Sequence, residues 1–458
     1  MRPYFRTLAG LLCLLPLLVS CDDFLEVPAP DSQLNSHAVF QDYSSASAAL
    51  TNIYASIRDQ GLLFGDVSGC GIELGCYTDE LQAFGGPSSL NQPFYNNNVL
   101  PSNSTVASWW SAAYTQIYAA NALLEGVAAS DALNTAQKDQ LAGEALFVRS
   151  LLHFYLLSIY GDIPYATTTD YRTNSLISRT PTAQVYGYLE TDLSLAMGLL
   201  PPSYPDAERT RPNASVARAL LARVYLYDGK YEQALEQASQ IIGNTSEFSF
   251  PDDISQTFLK GAPSTIWQLL PRSQGRNTYE GAAFILVSAP PATIALTDSF
   301  MASFEPGDLR RENWVSSVTD GTTTYYFPYK YKQFQSGSES SEYSIIFRLS
   351  EQYLIRAEAR AQLGDLAGAK EDVDFIRANA GLPPLAPTGL QGLVAAILTE
   401  RRSELFTEFG HRFFDLKRSG LLDTTLTAKT GWQSTDRLLP LPENELLLNG
   451  ALTQNPGY

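Results

Sequence analysis

Histidine is almost missing from this chain: it occurs three times in 458 residues, at His37, His153 and His411. That scarcity argues against a histidine-built metal centre and against imidazole-driven acid–base chemistry. Long apolar runs are lacking as well. Residues 8–19 form an apolar stretch, but a membrane-spanning helix needs about 20 apolar residues, and no later stretch reaches that standard. Basic residues are in deficit, with 31 Lys and Arg against 48 Asp and Glu and a net charge of −17. A surface this acidic argues against nucleic acid and against polyanionic substrates. No G-x-S-x-G elbow, P-loop or H-E-x-x-H motif is present. Gly69-x-Gly71-x-x-x-Gly75 has the wrong spacing for a dinucleotide fingerprint. No cofactor or metal is therefore expected. A glycosidase needs only two carboxylates at the right separation, so a chain with 48 acids leaves that chemistry open.

Cysteine is scarce too, and the four present divide by position. Cys13 falls in a stretch where Arg2 and Arg6 precede the apolar run, which ends Leu18-Val19-Ser20-Cys21. A charged start, a short apolar segment and a small residue before the cut make an export signal over residues 1–20. The last four residues are similar to the lipobox of bacterial lipoproteins, which implies that Cys21 becomes the acylated N-terminus. Each buried CH₂ of an acyl chain contributes about 0.8 kcal/mol, so several chains give a lasting anchor. Cleavage removes Arg2 and Arg6 and no acid, leaving −19 on residues 21–458. Cys70 and Cys76 remain, with Gly69, Gly71 and Gly75 around them. In an exported protein the expectation is a disulfide, worth about 2 kcal/mol for so short a loop. A pair of metal-ligand thiolates is the alternative, disfavoured because no His or further Cys lies nearby.

Along the chain, residues 22–36 contain prolines and polar residues and read as a tether. Residues 39–59 carry a helical pattern. Residues 60–105 hold glycine, proline, asparagine and aromatics with little periodicity, an irregular excursion of the kind that carries function. Trp110, Tyr114, Ile117 and Asn121 share one helical face, and residues 136–160 continue as helix until Tyr160-Gly-Asp-Ile-Pro164. Between 212 and 242, Ala217, Leu220, Leu221 and Val224 form one stripe. After the turn Asp228-Gly229-Lys230, Tyr231, Ala234, Leu235, Ala238, Ile241 and Ile242 form another. This is an antiparallel helical hairpin with small residues at its seam. A related unit lies at 353–377, with its turn at Gly364-Asp365. Both are similar to tetratricopeptide hairpins. The copies are degenerate and far apart, so a helical scaffold is expected in place of a continuous solenoid. Residues 243–350 read as short strands and long loops, and 393–409 as helix. No linker divides the chain, which predicts one large, mainly α domain over 21–458. Its N-terminal part (about 21–242) and C-terminal part (about 243–458) should pack together.

Four stretches and the tail then resemble the SusD/RagB family of outer-membrane nutrient-binding lipoproteins. They are Cys21-Asp-Asp-Phe-Leu-Glu-Val-Pro28, Tyr160-Gly-Asp-Ile-Pro164, the 217–242 hairpin, and Glu400-Arg-Arg-Ser-Glu-Leu with Phe409-Gly-His-Arg-Phe-Phe-Asp-Leu-Lys-Arg418. The tail matches at Leu439-Pro-Leu-Pro-Glu443 and Gln454-Asn-Pro-Gly-Tyr458. Thr407-Glu408-Phe409-Gly410 departs from the family's usual Glu-Gly before the histidine. The resemblance implies a helical fold with a loop-rich, short-strand face for ligand. It also implies a lipid-anchored outer-membrane protein at the cell surface, working over a SusC-type TonB-dependent transporter. The implied cargo is an oligosaccharide or, in RagB-like members, a peptide.

Within 400–418 the charged set Arg401, Arg402, Glu404, His411, Arg412, Asp415 and Arg418 admits two readings. One is a base, His411, oriented by Asp415; the other, favoured here, is a network of charges paired inside the packing. For ligand, flat aromatic faces rimmed by amides and carboxylates suit a sugar. Two groups offer that: Tyr77, Asp79, Glu80, Tyr95 and Asn96, and Tyr279, Trp314, Tyr325 and Tyr326. Trp110, Tyr114 and Trp267 lie in regular apolar settings and are assigned to the core. The leading reading is a non-enzymatic capture lipoprotein. A surface glycan hydrolase and a purely structural scaffold are the rivals.

Overall fold

The structure is a computed structural model that describes residues 36–386 and 388–458. The export signal, Cys21 and most of the tether lie outside the described residues. Helices form the body. The helix Ser104–Ala129 starts where Asn103 accepts hydrogen bonds from the backbone N–H groups of Thr105 and Val106. Asn134 and Gln137 close a reciprocal cap on Thr135–Tyr160, and Asn213 caps Ala214–Tyr227. Such caps satisfy backbone donors that a helix start leaves open. Contrary to the expectation that no stretch after residue 19 reaches the membrane-spanning standard, Thr135–Tyr160, alone among the described helices, is long and apolar enough to cross a bilayer. Residues 143–160 are buried throughout, so its apolarity serves the protein core.

Eight helices stack in chain order: Ser104–Ala129, Thr135–Tyr160, Thr182–Leu199, Ala214–Tyr227, Tyr231–Gly243, Leu349–Gln362, Leu366–Asn379 and Leu390–Leu405. Both expected hairpins are present, and their turns place Gly229 and Gly364 at positive φ, 73° and 89°, where only glycine is unstrained. The series is more continuous than the sequence spacing implied. Tyr231–Gly243 packs directly on Leu349–Gln362, joined through Ala222, Leu226, Ala234, Ala238, Ile355 and Ala359. The whole segment between them loops out and returns. Alanine at the seam lets the backbones approach closely enough to hide the interruption.

That excursion carries five short strands, and a sixth joins them from the 60–105 segment to make antiparallel pairs. β1 (Leu81–Ala83) pairs with β3 (Ile294–Leu296), β2 (Thr265–Leu269) with β6 (Ser344–Arg348), and β4 (Val315–Thr319) with β5 (Thr324–Pro328). β2 and β6 are buried along their full length. Trp267 on β2 meets Phe147 of the helical body edge-on, with ring centroids 5.1 Å apart. One apolar core runs from Ala46 to Leu452 and draws on both halves of the chain.

Ion pairs lock the stack from within. Arg223 grips Glu351 with two hydrogen bonds of 2.6 Å, joining helices 128 residues apart in sequence. Arg310 binds Asp308, Glu400 and Glu404, and Arg348 binds Glu404 and Glu408. Arg401 and Arg418 share Asp415. The charged block 400–418 is therefore the paired network. Burial and the neighbouring arginines 223 and 401 push the His411 imidazole well below its ordinary pKa, which disfavours its protonated form.

One expectation is overturned. Cys70 and Cys76 are free, buried thiols on a single short helix, Cys70–Tyr77. Six residues at 1.5 Å rise each put them about 9 Å apart along the axis, beyond disulfide reach. Burial raises both thiols far above the ordinary range. The glycines serve contact, not loop freedom. A Cβ on Gly69 would fall 1.6 Å from the Phe64 carbonyl oxygen, and one on Gly71 would fall 2.9 Å from that of Thr407.

Candidate functional site

The loops after β2 and before β6 frame an open cleft of about 360 Å³. That is within the range of small-ligand sites. Its walls include Arg58, Arg272, Arg276, Asn277, Tyr279, Gln333 and Phe334, and its floor includes Gly65, Glu280 and Ser344. The two loops are tied together. Asn277 Oδ1 accepts from the backbone N–H groups of Ser341 and Glu342, 2.9 and 3.1 Å away, and Gly337 N donates to Gly275 O at 2.8 Å. Glu342 accepts from the N–H groups of Lys332 and Gln333 at 2.7 and 3.0 Å. A rim held this way keeps its shape before ligand arrives, which lowers the ordering cost of binding.

Tyr279 stands at the mouth. Its ring meets Phe64 edge-on at 4.8 Å, and its hydroxyl donates to Asp59 Oδ1 at 3.1 Å. Asp59 is gripped by Arg58 at 2.8 and 2.6 Å, and Arg58 also donates to the Leu270 carbonyl. The Arg58 hydrogen bonds, with help from Tyr279 and Arg272, hold the Asp59 carboxyl below its ordinary pKa. Phe334 is 45% exposed beside it. At the floor, Glu280 receives a hydrogen bond from Ser344 Oγ, while its Oε2 has no partner among the described residues. Burial pushes this carboxyl up to about 7. It lies flat on Gly65, where a Cβ would come within 2.3 Å of its carboxyl group. Glu280 also walls a second, smaller pocket of about 20 Å³ bounded by Phe64, Asp66, Lys330, Tyr331 and Glu408. That space suits one water molecule.

Other grooves, of about 440 and 510 Å³, lie along the helices. Several of their polar groups are engaged by backbone. Tyr114, Asn121 and Asn449 donate to the carbonyls of Pro164, Ala166 and Ile177. Arg179 and Lys417 donate to those of Asp162 and Ser158.

The residues singled out from sequence scatter. Tyr279 lines the cleft. Tyr325 and Tyr326 lie half-buried on β5, the first edge-on to Phe84 at 5.7 Å, the second beneath Arg311. Phe84 follows β1, so the 60–105 excursion does reach the β4–β5 hairpin. Tyr77 and Trp314 are core residues, 0% and 1% exposed, which removes them as ligand contacts. The Tyr77 hydroxyl donates to Asp436 O, and Trp314 Nε1 to Ile254 O. Glu80 is buried under Thr407 N, and Asp79 is clasped by Arg402 and Arg412. Tyr95 lies under Lys429, and Asn96 is exposed, bonded to Gln92. Sequence reasoning missed Arg58, Arg272, Arg276, Asn277, Gln333 and Phe334. A local signal existed: no acid occurs between Asp253 and Glu280, yet Lys260, Arg272 and Arg276 do.

Comparison with known proteins agrees with this architecture. A family described as starch-binding and associating with the outer membrane matches residues 23–226, and the SusD family matches residues 308–458. SusD-like protein P2 of Formosa agariphila is 28% identical over 97% of this chain and 98% of its own length. A solved laminarin-binding SusD-like protein superimposes with a TM-score of 0.76 at 26% identity, covering 91% of this chain and 99% of that one. A SusD superfamily protein of Bacteroides vulgatus shares the fold with a TM-score of 0.80 at 21% identity, over 92% of this chain and all of that one. With the stacked helical pairs, the looped-out strands and the motifs of both halves in place, this chain belongs to the SusD/RagB family.

Proposed function

We propose that the protein captures an oligosaccharide at the cell surface without cleaving it and passes it to a SusC-type TonB-dependent transporter. Residues 1–20 act as the export signal and acylated Cys21 as the outer-membrane anchor in this reading. The observation that carries it is the loop-framed cleft at Tyr279. An aromatic face there stands beside amide and guanidinium donors, the combination that orients a ring and its hydroxyls. Family membership and the laminarin-binding relative support a glycan ligand. Tyr325 and Tyr326, half-buried on the β4–β5 hairpin, are secondary candidates.

Calorimetric titration with a panel of oligosaccharides, then peptides, tests this. Saturable binding of a saccharide without product is expected. Release of shortened sugars at a catalytic rate overturns it in favour of hydrolysis. Co-purification from the native membrane should bring down a large barrel partner with the intact chain and fail with Cys21→Ser.

A further inference from the structure

The cleft is charged against the sign of the molecule. The chain carries −17 overall, yet three arginines line this cavity and its one acidic lining residue is Glu280. Arg58 is committed to Asp59 and the Leu270 carbonyl. Arg272 and Arg276 are exposed, and neither forms a direct ion pair among the described residues, although Arg272 lies near enough to Asp59 and the Tyr279 hydroxyl to act on both. The one acid in the wall is sunk in the floor, where burial favours its neutral form. A guanidinium without a direct carboxylate partner, beside an aromatic face in a concave site, is arranged to take a planar or tetrahedral oxyanion. Low-dielectric walls focus that local field whatever the net charge of the rest.

We propose that Arg272 and Arg276 make this cleft selective for an acidic oligosaccharide, whose uronate carboxylate or sulfate ester they bind while Tyr279 carries the sugar ring. This rests on the cleft being the saccharide site proposed above. Bulk acidity argues against polyanionic ligands from composition alone. The three-dimensional distribution of the charge reverses that expectation locally.

The test measures the affinity of the full chain in detergent for four probes. They are hexasaccharides of galacturonate, of sulfated galactose and of β-1,3-linked glucose, and hexaglutamate. Arg272→Gln/Arg276→Gln and Tyr279→Ala are compared with the parent, and Arg437→Gln, a surface arginine outside the cleft, is the control. The expected result is that one acidic sugar binds at least about 10-fold tighter than the neutral one, and the tighter arm tells carboxylate from sulfate. The double variant should lose that sugar by roughly 100-fold, Arg437→Gln should not, and added salt should weaken binding to the parent. Tyr279→Ala should weaken every saccharide that binds. If the neutral hexasaccharide binds as tightly as the acidic ones, or the double variant keeps the preference, the acidic assignment falls and saccharide capture stands. If no saccharide binds, or hexaglutamate alone does, both fall.

Discussion

Two sets of arginines in this molecule sit under opposite conditions. Arg223, Arg310, Arg348 and Arg401 are at most 2% exposed, and each faces at least one carboxylate. Arg272 and Arg276 stand in the open cleft with no direct ion pair among the described residues, though the charge of Arg272 reaches Asp59. The difference teaches what each set is for. Taking a guanidinium out of water is costly unless a carboxylate goes with it, so the first set survives only in one arrangement of the helices. The second set remains hydrated and without a direct ion pair, and holds its capacity for something that arrives.

The contrast can be broken at several points. The largest effect is expected at Arg223. Replacing it by Met strands Glu351 in the core and should cost about 3–5 kcal/mol in urea unfolding, while Arg223→Met with Glu351→Leu should recover most of it. A loss below about 1 kcal/mol from the single change would remove the distinction between the two sets.

Next come the buried carboxylates that differ in company. Burial disfavours the Glu404 carboxylate, but Arg348 and Arg310 prevail and hold its pKa at about 2. Its stabilisation is present above the unfolded value near 4.5 and is lost as pH falls through about 2. Glu80 has the reverse balance. Burial, reinforced by Asp79, lifts it to about 7, so its contribution is full below about pH 4.5 and is lost as pH rises through 7. Glu80→Gln should therefore gain up to about 3 kcal/mol relative to the parent at pH 8 and nothing at pH 4. Equal curves in denaturant titrations at both pH values count against this.

Smaller still, Tyr279→Ala should weaken saccharide binding about 10-fold, roughly 1.4 kcal/mol, with the melting temperature nearly unmoved. An unchanged affinity would shift the site toward the Tyr325–Tyr326 face. Smallest of all is the response to reductant. Because Cys70 and Cys76 are separate thiols on one helix, dithiothreitol should leave thermal unfolding where it was. A drop of several degrees would reinstate the bridge.

Much of the scaffold was legible. The stripes at Ala217–Val224 and Ala234–Ile242 mark both arms of a hairpin because helical periodicity is a local property. The family motifs prove structural in their roles. Asn455 of the tail donates to the carbonyls of Tyr160 and Leu439, so the tail and the Tyr160 turn that looked like separate signatures meet in one joint. The helix Thr182–Leu199 was missed, having weak amphipathic contrast between polar neighbours. The site was largely illegible. Tyr77, Trp314 and Tyr279 are all aromatics set among polar and charged neighbours, and burial separates the first two from the third. The glycine-flanked cysteines read as a loop because glycine's role there is close backbone contact with Phe64 and Thr407, which no local pattern reports.

From its sequence alone this protein declared most of its long helices, their hairpin pairing, its family resemblance and its overall acidity, all of which depend on neighbours a few residues apart or on summed composition. Which aromatics face solvent, which arginines lack a carboxylate, and that loops around 58–65, 271–280 and 333–344 share one cavity were decided only in three dimensions. These properties depend on residues brought together from more than 200 positions apart, as Tyr279 is with Asp59. Burial and charge pairing at such distances follow from packing, and packing has no local signature.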